Sequence, residues 1–106
     1  MTDKLIILKE LKQHLQRYHN NGVKDVILFG SQAAGTAMNY SDFDILIVLE
    51  NEYNYKDENN ILDLCYEIDL KYNIIIDAHL ISQMELKSLR GKQPIYINAL
   101  NNGIYA

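Results

Sequence analysis

The chain has 106 residues, 48% of them apolar, and a formal net charge of −4. That length favours one domain, spanning 1–106, with a small but real core, and that composition excludes an intrinsically disordered chain. The acidity argues against a general grip on nucleic acid, which needs clustered Lys and Arg, and no apolar run reaches the roughly 18–20 residues of a membrane span.

The opening stretch, MTDKLIILKELKQHL, is too charged for the apolar region of a secretory signal, so a cytoplasmic protein is expected. Residues 4–19 place Leu5, Leu8, Leu11, Leu15 and Tyr18 at helical spacing, and Asn20-Asn21-Gly22 supplies a stop. Val26-Ile27-Leu28-Phe29 is a short continuous apolar run that Gly30 ends, which predicts a buried strand. A small-residue stretch from Ser31 to Ala37 predicts a short helical turn, and Asn39-Tyr40-Ser41 a tight turn. Residues 42–49, DFDILIVL, predict a central strand that is apolar on both faces beyond its first residues.

Residues 56–72 predict the next helix, with Ile61, Cys65, Ile68 and Tyr72 as its buried stripe. Cys65 is the single cysteine, which excludes an internal disulfide and a thiolate zinc cage; its place on the apolar stripe reads as a buried thiol. A third strand is predicted over 74–81. Ser82 and Glu85 match a capping box opening a helix to about Arg90, Gly91-Lys92-Gln93 breaks it, and Pro94 suits the first turn of a last helix ending near Asn101-Asn102-Gly103. This order fits a single α/β or α+β domain with a three- or four-stranded sheet.

Three features carry chemistry. A strand ending in Gly30-Ser31 before a helical turn leaves backbone N–H groups that, with the Ser31 hydroxyl, can hold phosphate oxygens; Gly-Ser pairs also occur in many loops without a ligand. Asp42 and Asp44 stand two apart at the start of a strand and so share a face. Like charges that close repel, and a divalent cation relieves the repulsion; two solvated aspartates at a strand end fit the pair alone equally well. Asp77 sits in the apolar run Ile74-Ile75-Ile76-Asp77-Ala78-His79-Leu80-Ile81, where a charge is costly unless paired, hydrogen-bonded or bound to a metal. Three carboxylates beside a phosphate-binding turn suit in-line displacement at phosphorus assisted by two cations.

The string from Gly30-Ser31 to Ser41-Asp42-Phe43-Asp44-Ile45, with ten residues between Gly-Ser and Asp-x-Asp, resembles the signature of the polymerase-beta-like nucleotidyltransferases. The short length, the leading helix and the late carboxylate resemble their minimal members, the MntA-like antitoxins of HEPN/MNT pairs. The resemblance implies an α+β fold, a small mixed sheet with helices packed on it. It implies that Gly30 and Ser31 hold the triphosphate of ATP or another nucleotide. It implies that Asp42, Asp44 and Asp77 ligate two Mg2+ ions, with Mn2+ as the alternative, and that Asp77 helps to remove the acceptor's proton. Such members resemble antitoxins that move AMP onto a hydroxyl, typically a tyrosine, of a HEPN-type helical partner. The segment 82–106 is too short for a substrate domain, which agrees with an acceptor presented by another protein. One departure is Ala34, where members often carry Arg; it supports the alternative of a weakened nucleotide-binding module that neutralises its partner by contact. Modification of a small molecule, as in antibiotic-inactivating relatives, lacks the second domain it would need.

His14 and His19, five apart on the first helix, are read as surface residues. His79 shares the strand face of Asp77 near the site and is read as a structural histidine. Tyr40 and Phe43 flank the motif and are read as core packing. Ile95, Tyr96, Leu100 and Ile104 suit either the core or a partner surface.

Overall fold

A computed structural model describes residues 3–19, 22–35, 42–88 and 90–106. Helix α1 (Lys4–Tyr18) opens on Asp3, whose carboxylate accepts the Leu5 N–H at 2.8 Å. Its buried stripe is Ile7, Leu8, Leu11 and Leu15; Leu5 and Tyr18, expected inside, are about half exposed. The contact face is thus centred on the Leu8–Leu11–Leu15 line and takes its fourth member from Ile7, one turn before Leu11. Asn20 and Asn21, and the turn expected at Asn39-Tyr40-Ser41, lie outside the described residues.

Strand β1 (Val23–Phe29) begins earlier than its apolar run, because exposed Lys24 and half-buried Asp25 continue it through an irregularity in register. A short helix α2 (Gly30–Ala34) follows directly. Strand β2 (Phe43–Leu49) runs antiparallel to β1, with Phe29 opposite Asp44 and Leu28 opposite Ile45. Helix α3 (Tyr55–Tyr72) is the crossover that a parallel connection requires. It opens on a capping box of Asn54 and Asp57 and closes at Asn73 in the left-handed region. Strand β3 (Ile76–Ser82) then lies parallel to β2, with Asp44 opposite Asp77 and Leu46 opposite His79.

The capping box of Ser82 and Glu85 is present, yet helix α4 (Gln83–Leu86) lasts four residues instead of running to Arg90. The chain folds back on it: a Cβ at Gly91 would meet the Leu86 carbonyl oxygen at 2.1 Å, so only glycine fits the single 3-10 turn at Arg90–Lys92. Helix α5 (Pro94–Asn102) starts on Pro94 as expected, and a two-residue strand β4 (Ile104–Tyr105) pairs antiparallel with β1. The sheet order is β3-β2-β1-β4, a mixed four-stranded sheet.

Period-two alternation splits the core between the two faces of this sheet. Val26, Leu28, Ile45, Ile47 and Leu49 pack against α1 and α3. Ile27, Phe29, Leu46, Val48 and Ile81 pack against Tyr96 and Ala99 of α5. Tyr96 is therefore core, whereas Ile95 stays 38% exposed. Glu10 bridges α1 to both Lys71 and Tyr72 of α3. His19 is not a surface residue: it is 6% exposed, with its Nδ1 2.8 Å from Asn60 Nδ2. The end of α1 turns inward there, against the first turns of α3.

Cys65 is buried, and desolvation pushes its thiol up to about 12. The folded protein at pH 8 is expected to react with a small thiol reagent about 100-fold or more slowly than the urea-unfolded chain, measured by the rate of colour release.

Candidate active site

Asp44 and Asp77 are the first acidic pair of the β2/β3 ladder, directly opposite each other in register. The ladder is anchored at this end by two bonds. Phe43 N–H donates to the Ile75 carbonyl at 2.8 Å, and Ile76 N–H donates to Asp69 Oδ1 of α3 at 2.9 Å. Asp69 thus fixes the residue next to Asp77, a role that nothing in its sequence neighbourhood signals. Burial pushes the Asp69 carboxyl upward; the Ile76 N–H opposes this and the charge of Asp42 adds to it.

Gly30 closes the site from β1. Its φ is +71°, and a Cβ there would stand 2.3 Å from Asp44 Oδ2. Glycine is required twice over, by backbone conformation and by the approach of the carboxylate. Ser31 follows in α2, and the Lys4 ammonium of α1 donates to the Gln32 carbonyl at 3.1 Å, tying α2 to the frame.

Asp44, Asp77 and His79 each offer one ligand atom within 4.8 Å of the other two. His79 Nε2 lies 3.3 Å from Asp77 Oδ2, and the Phe29 ring packs 5.6 Å from the imidazole. The Asp44 carboxyl is pushed above the ordinary aspartate value, first by burial and then by the charge of Asp77; His79 opposes the shift and Asp42 adds to it. A donor set of two carboxylates and an imidazole, in a cradle kept open by Gly30, fits a divalent cation.

Two sequence expectations change. Asp77 is not buried by its apolar run: its side chain is 52% exposed, because β3 is an edge strand whose first half is thinly covered. The cost of desolvation falls on Asp44 instead. His79, read as a structural histidine, is inside the cluster; the signal for it was the two-residue spacing from Asp77. Asp42 is exposed and stands just before β2, so sheet register does not hold its side chain, and it lies outside the three-residue cluster. Its charge still reaches Asp44 and Asp69.

Two clefts flank the cluster. One, about 490 Å³, is lined by Phe29, Gly30, Ser31, Ala33, Ala34, Asn98 and Asn102. The other, about 430 Å³, reaches His79 and is walled by Tyr53, Tyr55, Arg90 and Tyr96. Both volumes fall within the roughly 300–1,000 Å³ of small-ligand sites. Arg90 shapes the second cleft by donating to the Leu80 carbonyl at 3.1 Å and to the Tyr96 hydroxyl at 3.2 Å.

The profile of the nucleotidyltransferase domain family matches residues 7–106. The chain is 33% identical to MJ0604 of Methanocaldococcus jannaschii, provisionally named a protein adenylyltransferase, over 91% of this chain and 90% of that one. It is likewise 33% identical to MJ1305 of the same organism, with the same provisional name, over 94% of this chain and 70% of that one. Its fold is similar to a crystal structure of a toxin–antitoxin with AMP-PNP, at a TM-score of 0.62 and 18% identity, covering 92% of this chain and 69% of that one. A variant of the MntA–HpeT toxin–antitoxin matches with the same TM-score and coverage at 12% identity. The Gly-Ser turn, the acidic pair opposite each other in the ladder and matches that span most of the chain converge: the chain belongs to the nucleotidyltransferase domain family.

Proposed function

We propose that the protein transfers AMP from ATP to a hydroxyl of a partner protein, as the antitoxin of a HEPN/MNT pair, and works as a single cytoplasmic domain. The observation that carries this is Asp44 facing Asp77 across a parallel ladder, with Gly30 holding the space above Asp44 open. The provisional name of the Methanocaldococcus jannaschii relatives supports protein adenylylation. The toxin–antitoxin with AMP-PNP supports an adenine nucleotide and a toxin partner.

Each residue then has a task. The N–H groups of the Gly30-Ser31 turn and the Ser31 hydroxyl hold the nucleotide's phosphate oxygens. Asp44 and Asp77 would hold Mg2+, and Asp42, one residue before β2, would offer a further carboxylate to it. Two such ions, when bound, supply charge neutralisation at the attacking and leaving oxygens of an in-line displacement. Asp77, whose side chain is half exposed and so reachable from solvent, takes part in removing the proton of the incoming hydroxyl. That hydroxyl attacks the α-phosphorus, the bond to the bridging oxygen breaks, and pyrophosphate leaves.

A second reading has one observation in its favour. Among the described residues, the side chains lining the Gly30-Ser31 cleft include no cation, and Ala34 stands there. A nucleotide held this weakly suits neutralisation of the partner by contact alone.

Labelled ATP, Mg2+ and a HEPN-type partner encoded beside this protein are expected to give labelled partner. D44N is expected to lower the rate about 100-fold or more. Partner neutralised equally well by D44N would sink the transfer reading and leave the contact reading.

G30A is expected to cost about 1–2 kcal/mol from the left-handed backbone alone, measured by urea unfolding. Its Cβ also displaces the Asp44 carboxylate, so divalent-cation binding by calorimetry should weaken even where G30A stays folded.

The raised Asp44 carboxyl gives a pH signature in the cation-free protein. A group whose folded value lies above its unfolded one lowers stability as pH rises through that window. D44N should therefore melt higher than wild type at pH 7, and the gap should close below the ordinary aspartate range. Equal melting temperatures across the whole range would refute the electrostatic strain at Asp44.

A further inference from the structure

We infer that His79 is itself a ligand of the cation, completing a two-carboxylate, one-imidazole set with Asp44 and Asp77, and that this nitrogen biases the site toward manganese over magnesium. The inference rests on the reading that the cluster holds a divalent cation, and it deepens that reading by naming a ligand outside the expected carboxylates.

The spacing is close to that of a coordination sphere. Around an octahedral ion with bonds of about 2.1 Å, adjacent ligand atoms lie about 3 Å apart and opposite ones about 4.2 Å. His79 Nε2 and Asp77 Oδ2 are 3.3 Å apart, and the three ligand atoms of Asp44, Asp77 and His79 fall within 4.8 Å of one another. Small movements bring all three onto one ion.

The imidazole is also placed to serve. It lies two pairs further along the ladder than the two aspartates, opposite Leu46, and so on the face they share. Its ring packs at a tilt of 56° against Phe29, which is itself buried at 7% exposure. The side chain of His79 is 29% exposed, so a ligand can reach it from solvent. Asp42, by contrast, precedes the ladder, and its side chain lies outside the cluster.

The chemical consequence follows from the donor. Magnesium is hard and prefers oxygen, whereas imidazole binds first-row transition ions more readily. An all-carboxylate site separates manganese from magnesium only weakly. Replacing one oxygen by the His79 nitrogen widens that gap, so losing the imidazole should weaken manganese much more than magnesium.

The test uses the whole protein with 15N-labelled histidine and Mn2+ alone. Pulsed electron paramagnetic resonance reads whether a histidine nitrogen is bonded to the manganese. The chain has three histidines, so H79Q and H14Q assign the signal. Expected is a directly bonded 15N coupling in wild type and in H14Q, and none in H79Q. The Mn2+ dissociation constant of H79Q should rise about tenfold or more, while its Mg2+ constant, read by competition, moves less than about threefold. Manganese bound by wild type without nitrogen coupling overturns the inference and leaves the cation reading standing; His79 is then a hydrogen-bonding partner of Asp77. No manganese bound by wild type at millimolar concentration overturns both. The wild-type coupling is read without any variant, so misfolding of H79Q cannot rescue or sink the result.

Discussion

The contact on which the rest of this molecule turns is Asp44 beside Asp77 on neighbouring parallel strands. Two carboxylates placed this way repel, and the partly buried one, Asp44, carries the cost as a raised pKa. Parallel neighbours cannot be joined by a hairpin, so the chain needs a long crossover, and α3 supplies it. The Leu8–Leu11–Leu15 stripe of α1 and the Ile61–Leu64–Cys65–Ile68 stripe of α3 bury one face of the sheet and hold β2 and β3 in that register. Asp69, on α3, then ties the start of β3 directly. The scaffold thus stabilises an arrangement that the two aspartates would not adopt by themselves.

The opposite face is built differently because the site opens there. Asp44, Leu46 and Val48 alternate onto it, as do Asp77, His79 and Ile81. Helix α5 covers the apolar members through Tyr96 and Ala99. Arg90 secures this edge. It donates to the Tyr96 hydroxyl, the Leu80 carbonyl and Glu85, which keeps its charge firmly in place and caps an otherwise open strand edge. The result is a rim with clefts on both sides, one walled by the Gly30-Ser31 turn and the other by Tyr53, Tyr55 and His79.

The expected α+β class with a small mixed sheet is what the structure has, and local signals explain why it was readable. Apolar periodicity marked α1 and α3, the continuous runs marked the two central strands, and the capping box at Ser82 and Glu85 is real. Signals that depend on distant partners were less legible. The four-residue α4 ends where the chain doubles back at Gly91, and β4 exists because Ile104 and Tyr105 find the free edge of β1. His19 is buried by contact with Asn60, a residue 41 positions away.

By itself the sequence determined the two-strand motif, its ten-residue gap and the identity of the acidic side chains, since these depend on spacing along one chain. Only the tertiary structure decided which donors meet. Strand alternation could say that Asp77 and His79 share a face, but whether that face meets Asp44 depends on parallel register across an 18-residue helix. It also decided where the electrostatic cost lies, because exposure is a property of neighbours: β3 is an edge strand, so Asp77 is wet, while Asp44 sits on a central strand beneath Gly30.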